Sequence, residues 1–223
     1  EYMNAVEIMD VTKKYGDRVI FDHINMEIRE GEMTALIGPS GCGKSTLLNM
    51  IGLLEDLSNG KIRIFGKEIP KINSRKATML RRNTVNYLFQ SSALVGDMTV
   101  YQNLMLAMHF VRISQKEKEI RINRMLHEVG LPKMKSAVVN TMSGGEQQRV
   151  ALARTLLKPG KLILADEPTG ALDEKSAEKV FLLLRDLCVQ YKKTVIMVTH
   201  NMELAQQTDQ VVNLRKYKGN IIL

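Results

Sequence analysis

The segment Gly38-Pro-Ser-Gly-Cys-Gly-Lys44-Ser45-Thr46 has the pattern G-x-x-x-x-G-K-[ST], in which a glycine-rich turn leads into a lysine and a hydroxyl side chain. A short apolar run, Met33 to Ile37, precedes it, and a helical pattern of apolar residues follows it. The glycines let successive backbone N–H groups turn toward a phosphate, and the helix points its positive end at the same place. The segment therefore predicts a phosphate-binding loop between a buried strand and a helix.

The chemistry expected at this loop is nucleotide binding. Lys44 can reach the β- and γ-phosphates, and the Ser45 hydroxyl can ligate Mg²⁺. Cys42 lies inside the loop, where the helix dipole and Lys44 should favour its thiolate, so we expect alkylation to block nucleotide binding unless burial makes the thiol inert. The predicted loop contacts are Gly38, Pro39, Ser40, Gly41, Cys42, Gly43, Lys44, Ser45 and Thr46.

The composition is that of an ordinary globular α/β protein. The 223 residues are 44% hydrophobic and 25% charged, which suits one domain over residues 1–223 with an inserted subdomain. No run approaches the roughly 18 to 20 apolar residues that a membrane-spanning helix needs. The two cysteines, Cys42 and Cys188, form no C-x-x-C pair. This disfavours a disulfide framework or a zinc site and fits a reducing cytoplasm.

Short apolar runs alternate with amphipathic patterns, which favours an α/β fold with a largely parallel sheet. Besides Met33 to Ile37, central strands are predicted at Leu162 to Ala165 and at Val195 to Val198. The segments Ala5 to Ile28 and Lys61 to Ile69 are rich in β-branched residues and glycine turns. They predict a small antiparallel sheet near the N-terminus.

The middle of the chain has a helical period instead. From about Thr99 to Gly130, apolar residues recur on one face, and Ser114 with Glu117 forms an S-x-x-E start signal for a second helix. We expect a helical insertion over about residues 91–148 between strands of the parallel sheet.

Two acids, Asp166 and Glu167, end the apolar run that begins at Leu162. Ligands of open parallel sheets bind at the carboxyl ends of the strands. Asp166 suits a role in holding a water bound to the metal ion, and Glu167 suits polarisation of an attacking water. The alternative is that the pair only caps the next turn.

A second helix start is predicted at Met142-Ser-Gly-Gly-Glu-Gln-Gln-Arg149. Ser143 and two glycines stand directly before a helical run, which offers a second positive helix end to an anion. One nucleotide needs only one phosphate cradle, so a second cradle makes sense if it serves the nucleotide of a partner. Considered alone, the segment is better explained as a plain serine N-cap.

Together these motifs resemble the ATPase subunit of ATP-binding cassette (ABC) transporters over essentially the whole chain. The phosphate loop, Gln90, the MSGGEQQR segment, LILADEP, the Ala171-Leu172-Asp173 turn and His200 occur in the family's order. The resemblance implies a P-loop NTPase core with a parallel-rich sheet, an N-terminal antiparallel β-subdomain and an inserted helical subdomain.

The resemblance also implies roles for single residues. Tyr15 would stack on adenine, and Asp173 would bridge two subunits. Glu167 would be the catalytic base, with His200 bonding the γ-phosphate and Gln90 sensing it. Mg²⁺ would be held by Ser45, Gln90 and Asp166. The ATP of the partner would be contacted by Ser143, Gly144, Gly145 and Glu146.

The implied activity is hydrolysis of MgATP by a homodimer that forms when ATP is bound and powers a separate transmembrane permease. The implied location is cytoplasmic, peripheral on the inner face of the cell membrane. The string LADEPTGALD most resembles the branch serving lipoprotein release, macrolide export and antimicrobial-peptide export. The chain departs from the usual pattern at Met142, where leucine is usual, and at Glu146, where glutamine is common and a negative charge is added.

A basic cluster between Lys61 and Arg82 holds eight basic residues and one acid, in a chain of net charge +8. It is compatible with a nucleic-acid contact, with an anionic membrane surface or with a solvated face. Two rival functions were considered, an ABC ATPase acting on DNA or ribosomes and a P-loop kinase.

The short spacing from Lys44 to Ser143 disfavours the DNA- or ribosome-acting ATPase, so no nucleic-acid partner is expected. The MSGGEQQR segment together with His200 disfavours the kinase.

The segment Ser91 to Met98, directly after Gln90, carries the apolar residues Leu94, Val95 and Met98. Exposed apolar residues in an irregular stretch indicate a contact site. In the family that the chain resembles, the membrane subunit docks beside this loop. The alternative is that these side chains belong to the core of the helical insertion.

Overall fold

The computed structural model describes residues 3–217 as an α/β structure with two sheets. The strands are β1 (Asn4–Tyr15), β2 (Arg18–Arg29), β3 (Met33–Ile37), β4 (Asn59–Ile64), β5 (Lys67–Glu68), β6 (Val85–Phe89), β7 (Leu162–Asp166), β8 (Thr194–Val198) and β9 (Gln210–Asn213). The helices are α1 (Lys44–Ile51), α2 (Arg75–Asn83), α3 (Val100–Ala107), α4 (Gln115–Glu128), α5 (Gly144–Leu157), α6 (Glu174–Gln190) and α7 (Met202–Ala205).

The central sheet has five parallel strands in the order β6-β7-β8-β3-β9. Its central strands are buried along their whole length because both faces are covered. Alternate residues enter two different cores. In β7, Ile163 and Ala165 face the core built with α3 to α6, whereas Leu162 and Leu164 face the core shared with α1 and the second sheet. The sheet therefore separates two hydrophobic cores.

The second sheet is antiparallel in the order β2-β1-β4-β5. It covers one face of the central sheet through buried residues such as Val6, Phe21 and Ile62. The predicted α/β class, with a parallel sheet and an N-terminal antiparallel sheet, is confirmed.

The helices α3 and α4 follow β6 and pack on α5. The buried side chains Val100, Leu104 and Met108 lie on one face of α3 and its last turn, as the helical period predicted. The helical pattern is broken between the two helices, and α4 starts at the cap that Ser114 gives to the Glu117 N–H. Within residues 3–217, no helix has the length and apolar character needed to cross a membrane.

The register of the parallel strands brings four chain segments to one edge of the sheet. Phe89 pairs with Asp166, Asp166 with Val198, and Val198 with Leu36. Each of these residues lies at or next to the carboxyl end of its strand. The residues that follow, including Gln90, Glu167 and the phosphate loop, must therefore converge at this edge.

The end of α1 is fitted closely against β6. Gly52 is the C-cap of α1, and a Cβ atom at this position would lie 2.0 Å from the Tyr87 hydroxyl oxygen and 2.5 Å from its ring. The Tyr87 hydroxyl donates a hydrogen bond to the Leu48 carbonyl at 3.0 Å. This contact fixes the helix that carries the phosphate loop against the strand that leads to Gln90.

We therefore expect Gly52→Ala to lower the free energy of unfolding by about 1–3 kcal/mol, the usual cost of overpacking. The φ of Gly52 is −79°, so alanine meets no backbone penalty there and the loss reports the contact with Tyr87. Urea denaturation of Gly52→Ala, Tyr87→Ala and the double variant measures the coupling. Equal losses from Gly52→Ala with Tyr87 present or absent would contradict this account.

Candidate active site

No side chain caps the N-terminus of α1. The N-cap residue is Gly43, at φ +97°, and no side chain accepts a hydrogen bond from the first turn. A Cβ at Gly43 would lie 2.6 Å from the Phe21 ring and 2.7 Å from Ile20, so only glycine fits. The first N–H groups of a helix have no partner inside it. They are left available to a phosphate at the sheet edge.

The other α-helices of the described chain begin differently. In α2 to α7 an N-cap side chain accepts a hydrogen bond from the first turn. These N-caps are Ser74, Thr99, Ser114, Ser143, Asp173 and Asn201. Within residues 3–217, α1 is thus the single α-helix whose positive end is left without an internal acceptor.

Lys44 is buried beside this helix end, with its charge held by the loop. Its Nζ donates to the carbonyls of Gly38 at 2.8 Å and Pro39 at 3.1 Å. A buried ammonium needs such partners. The same Nζ is positioned to exchange these carbonyls for phosphate oxygens.

Ser45 and Asp166 form the polar pair that the sequence predicted as metal ligands. The Ser45 hydroxyl donates to Asp166 Oδ1 at 3.2 Å, across the junction of α1 and β7. A cavity of about 500 Å³ opens here, and Gln90 and Glu167 also line it. Within residues 3–217 no group of three or more His, Cys, Asp or Glu side chains could hold a metal ion without other ligands.

Glu167 has an unusual backbone and an unsatisfied carboxylate. Its φ is +47°, which a non-glycine residue rarely adopts, and its N–H donates to the Val198 carbonyl at 3.0 Å. Oε2 accepts the His200 N–H at 3.4 Å. Oε1 is buried without a hydrogen bond in the described chain, although His200 Nε2 lies 3.3 Å away. Burial raises the pKa of Glu167, more than the nearby His200 and Lys44 lower it. A partly dry carboxylate of this kind suits a general base.

The phosphate loop opens into a pocket of about 330 Å³. Tyr15 lines it with a side chain that is 48% exposed. Its hydroxyl donates to Glu55, and Lys13 Nζ lies 4.7 Å from the centre of its ring. Tyr15 therefore has a fixed hydroxyl and an accessible aromatic surface, as stacking on a base would need.

Arg18 and Ile20 also line this pocket, and the sequence analysis missed both. The signal for Arg18 was weak, since one basic residue near a strand end is common. The structure brings Tyr15, Lys44, Ser45, Glu167 and His200 to this one pocket, with the loop residues Ser40, Gly41, Gly43 and Thr46. Asp166 and Gln90 lie on the adjoining cavity instead.

The loop that follows Gln90 is held by α5. Gln148 Nε2 donates to the Phe89 carbonyl at 3.0 Å, and Arg154 donates to the carbonyls of Ser92 and Ala93 at 3.0 and 2.6 Å. Ser92 and Ala93 both have positive φ, of 56° and 48°. These contacts were not predicted from sequence, because Gln148 and Arg154 read as ordinary polar positions of a helix.

The apolar trio after this loop is divided. Leu94 is partly buried and packs on the core, whereas Val95 is 42% exposed and Met98 is intermediate. The Val95 backbone is fixed by Asn103, which accepts its N–H at 2.9 Å and donates to its carbonyl at 3.0 Å. The predicted exposure of all three side chains is therefore wrong for Leu94, which packs against the core, and Met98 is only partly exposed. Val95 is exposed as predicted, and its docking role stays a prediction.

The second predicted helix start, at Ser143, lies on a separate concave surface of about 400 Å³. Gly144, Gly145 and Glu146 line it together with Asp173, and no residue of the phosphate-loop pocket does. Ser143 is the N-cap of α5, and Glu146 returns the hydrogen bond in a capping box. The serine cap predicted from sequence is therefore present, and it lies on an open surface; a phosphate-binding role of that surface stays a prediction.

Cys42 is fully buried, with 0% of its surface exposed, and its side chain belongs to the core under the second sheet. The expected blocking of the loop by alkylation is therefore not supported, because a reagent has no access to the thiol. The Cys42 side chain instead supports the phosphate loop from its inner face.

The basic cluster over residues 61–82 has divided uses. Arg81 donates to the carbonyls of Leu53 and Ile72, and Arg82 stacks on Phe110 at 3.6 Å. These two arginines fix α2 to its neighbours. Among the described residues, the cluster's ion pairs are limited to Lys61 with Glu68, and its remaining cations are exposed.

Comparisons with known proteins agree with this geometry. Residues 21–170 match the model of the ABC transporter family. The chain is 37% identical over 221 residues to the macrolide export ATP-binding/permease protein MacB of Vibrio parahaemolyticus, covering 97% of this chain and 33% of that protein. It is 34% identical over 217 residues to the lipoprotein-releasing system ATP-binding protein LolD of Bacteroides fragilis, covering 97% of this chain and all of that protein.

Among solved structures, the ATP-binding cassette MJ0796, as a post-hydrolysis dimer bound to ADP and Pi, superimposes with a TM-score of 0.82. It is 35% identical, and the match covers 93% of each chain. The chain spans about a third of the length of the MacB relative and the whole of the LolD relative.

The burial of both cysteines gives a direct test of the site's inner face. We expect neither Cys42 nor Cys188 to react with a thiol reagent in the native protein, with or without ATP, and both to react after denaturation. Burial also raises the pKa of the Cys188 thiol to about 12. Titration with Ellman's reagent measures this, and rapid ATP-sensitive labelling of Cys42 would contradict the described packing.

Proposed function

The chain belongs to the ABC transporter family, and from this premise we propose that it binds MgATP, dimerises around it and hydrolyses it to drive a separate membrane permease. The observation that carries the proposal is the uncapped start of α1 at the sheet edge, with Lys44, Ser45, Glu167 and His200 around one pocket. Every other α-helix of the described chain satisfies its first turn with its own N-cap.

The residues present fit a nucleoside triphosphate with its metal ion. The free N–H groups at the start of α1 and the Lys44 ammonium suit the phosphates. Ser45 and Asp166, 3.2 Å apart, supply oxygen donors of the kind Mg²⁺ takes alongside phosphate oxygens. Gln90 would complete the protein side of the metal site, and Tyr15 would cover the base.

In the reaction, Lys44 would leave the Gly38 and Pro39 carbonyls and donate to phosphate oxygens, where negative charge increases. Glu167 would accept a proton from the water that attacks the γ-phosphate in line with the leaving oxygen. His200, whose Nε2 is 3.3 Å from Glu167, would donate to the γ-phosphate from the same side. When bound, Mg²⁺ would neutralise charge on the phosphates.

A dimer is proposed because the surface around Ser143 is separate from the phosphate-loop pocket. The backbone N–H groups of Gly144 and Gly145 would meet the γ-phosphate of ATP held by the other subunit. Asp173 lines the same surface and caps α6 through the Ser176 N–H at 3.0 Å, so it stands where the two subunits would meet. The dimeric state of the MJ0796 cassette supports this arrangement.

The permease is proposed from the relatives, one of which is an ATP-binding/permease protein and one a lipoprotein-releasing system component. The proposed location is cytoplasmic, on the inner face of the cell membrane. The proposed domain organisation is a single ABC ATPase domain over residues 1–223, with a helical insertion at about 91–148. Export of a peptide, lipoprotein or drug-like substrate is the direction that these relatives favour. The structural use of Arg81 and Arg82 speaks against a role of the basic cluster in nucleic-acid binding.

The catalytic proposal is tested by Glu167→Gln. We expect turnover to fall by at least ~10²-fold, as for loss of a positioned base, while MgATP still binds. The variant should also accumulate as an ATP-bound dimer, visible by size-exclusion chromatography with light scattering. Glu178→Gln, an exposed acid on α6, is the matched control and should behave as the parent.

The pH profile gives a second readout. Glu167 acts as a base only when ionised, and burial raises its pKa. Activity of the parent should therefore decline on acidification at a pH above the ordinary carboxyl range. Full activity of Glu167→Gln, or a Glu167→Gln protein that binds ATP and stays monomeric, would contradict the proposed mechanism.

The partner proposal is tested at the loop after Gln90. Val95→Asp should abolish assembly with the permease while ATPase activity and melting temperature stay near the parent values, because Val95 is exposed. Leu94→Asp should instead lower stability and ATPase activity together, because burying a carboxylate costs several kcal/mol. Pull-down with the permease, calorimetry and phosphate release separate these cases, and equal loss of stability in both variants would refute the docking role of Val95.

A further inference from the structure

We propose that Glu146 is a built-in competitor for the phosphate that the start of α5 binds, and that it thereby limits the affinity of the ATP-bound dimer. This inference rests on the proposed function, since it concerns the surface that would meet the partner's ATP.

The competition is visible in the hydrogen bonds of Ser143. Glu146 Oε2 accepts the Ser143 N–H at 2.9 Å and the Ser143 hydroxyl at 2.8 Å, while the Glu146 N–H points to Ser143 Oγ at 3.4 Å. A serine hydroxyl has a single proton to donate. That proton is committed to Glu146, so Ser143 cannot donate to a phosphate until this bond breaks.

The cap itself does not require a charge. The chain contains a second capping box at the start of α3, where Thr99 accepts the Gln102 N–H at 3.2 Å and the Gln102 side chain accepts the Thr99 N–H at 2.8 Å. There the acceptor is a neutral amide. Glutamate in α5 thus adds a full negative charge to a motif that this same chain builds without one.

The negative charge of Glu146 is present under ordinary conditions. The hydrogen bonds from the Ser143 N–H and hydroxyl lower the pKa of Glu146, so it is ionised throughout the neutral range. The carboxylate already occupies the positive end of α5, where an anion is most favoured. A γ-phosphate would have to displace it or bind beside a like charge.

The surface leaves room for displacement. Glu146 is intermediate in exposure and lines the same concave surface as Gly144, Gly145, Arg149 and Lys179. Arg149 is already partly engaged, donating to the carbonyls of Val129 and Gly130. A phosphate would therefore meet the two glycine N–H groups, and Glu146 would turn toward solvent. Each dimer has two such sites, so the carboxylate of Glu146 would have to be displaced at both of them.

The test uses the Glu167→Gln protein, which should hold ATP without turning it over. In this background, Glu146→Gln keeps the acceptor that caps Ser143 and removes the charge. We expect the ATP-dependent dimer to form with a dissociation constant about 10-fold lower, the scale of removing like charges at a partly exposed site. Analytical ultracentrifugation at saturating MgATP measures it.

Two controls separate charge from structure. Glu117→Gln removes the acid at the equivalent position of α4, which pairs with Arg121 away from this surface, and should leave the dimer unchanged. Raising the salt concentration should shrink the difference in dimer affinity that Glu146→Gln causes, because salt screens an exposed charge. Binding of a fluorescent ATP analogue to dilute monomer should be equal with and without the Glu146→Gln change.

An unchanged or weaker dimer in Glu146→Gln, with an unchanged melting temperature, would overturn the proposal and make Glu146 a structural cap only. A gain in affinity that is insensitive to salt would also overturn it. Failure of the Glu167→Gln parent to dimerise with ATP would instead contradict the proposed function, and the inference would fall with it.

Discussion

The rest of the structure depends on the start of α1, where free backbone N–H groups are combined with a position that only glycine can occupy. A helix that begins on a glycine at φ +97° presents free N–H groups, and the contacts of Gly43 with Phe21 and Ile20 admit no other residue. The strand before it is held between β8 and β9 of the parallel sheet. An anion site of this type requires that the N–H donors are held in place before the anion binds. The two cores on either face of the sheet provide that support.

Several features of the fold and site were predictable from sequence because local chemistry determined them. The glycine-rich loop, the apolar strands and the S-x-x-E helix start are patterns whose physical cause lies within a few residues. The convergence of Gln90, Glu167 and His200 followed from the general rule that ligands gather at the carboxyl ends of parallel strands. These residues needed no knowledge of side-chain packing to be singled out.

Other features depend on contacts between distant segments, which a single sequence does not display. Leu94 was expected at the surface but is partly buried against the core, and Cys42 was expected to be reactive but is fully buried. The positive φ of Glu167 and its unsatisfied oxygen follow from the meeting of β7 and β8, two strands that a whole helix separates in the chain. Arg18 lines the pocket because the pairing of β1 and β2 places it opposite Tyr15, and no sequence pattern at position 18 predicted this.

The hydrogen bonds made by α5 have a mechanical consequence. The first residues of α5 form the surface around Ser143. Further along the same helix, Gln148 and Arg154 donate hydrogen bonds to the backbone carbonyls of the segment that precedes and follows Gln90, namely those of Phe89, Ser92 and Ala93. A helix of 14 residues moves as one stiff body, so a tilt imposed at one end is transmitted to the other. A displacement of the surface around Ser143, which we propose contacts the partner subunit, would therefore also move the loop that follows Gln90.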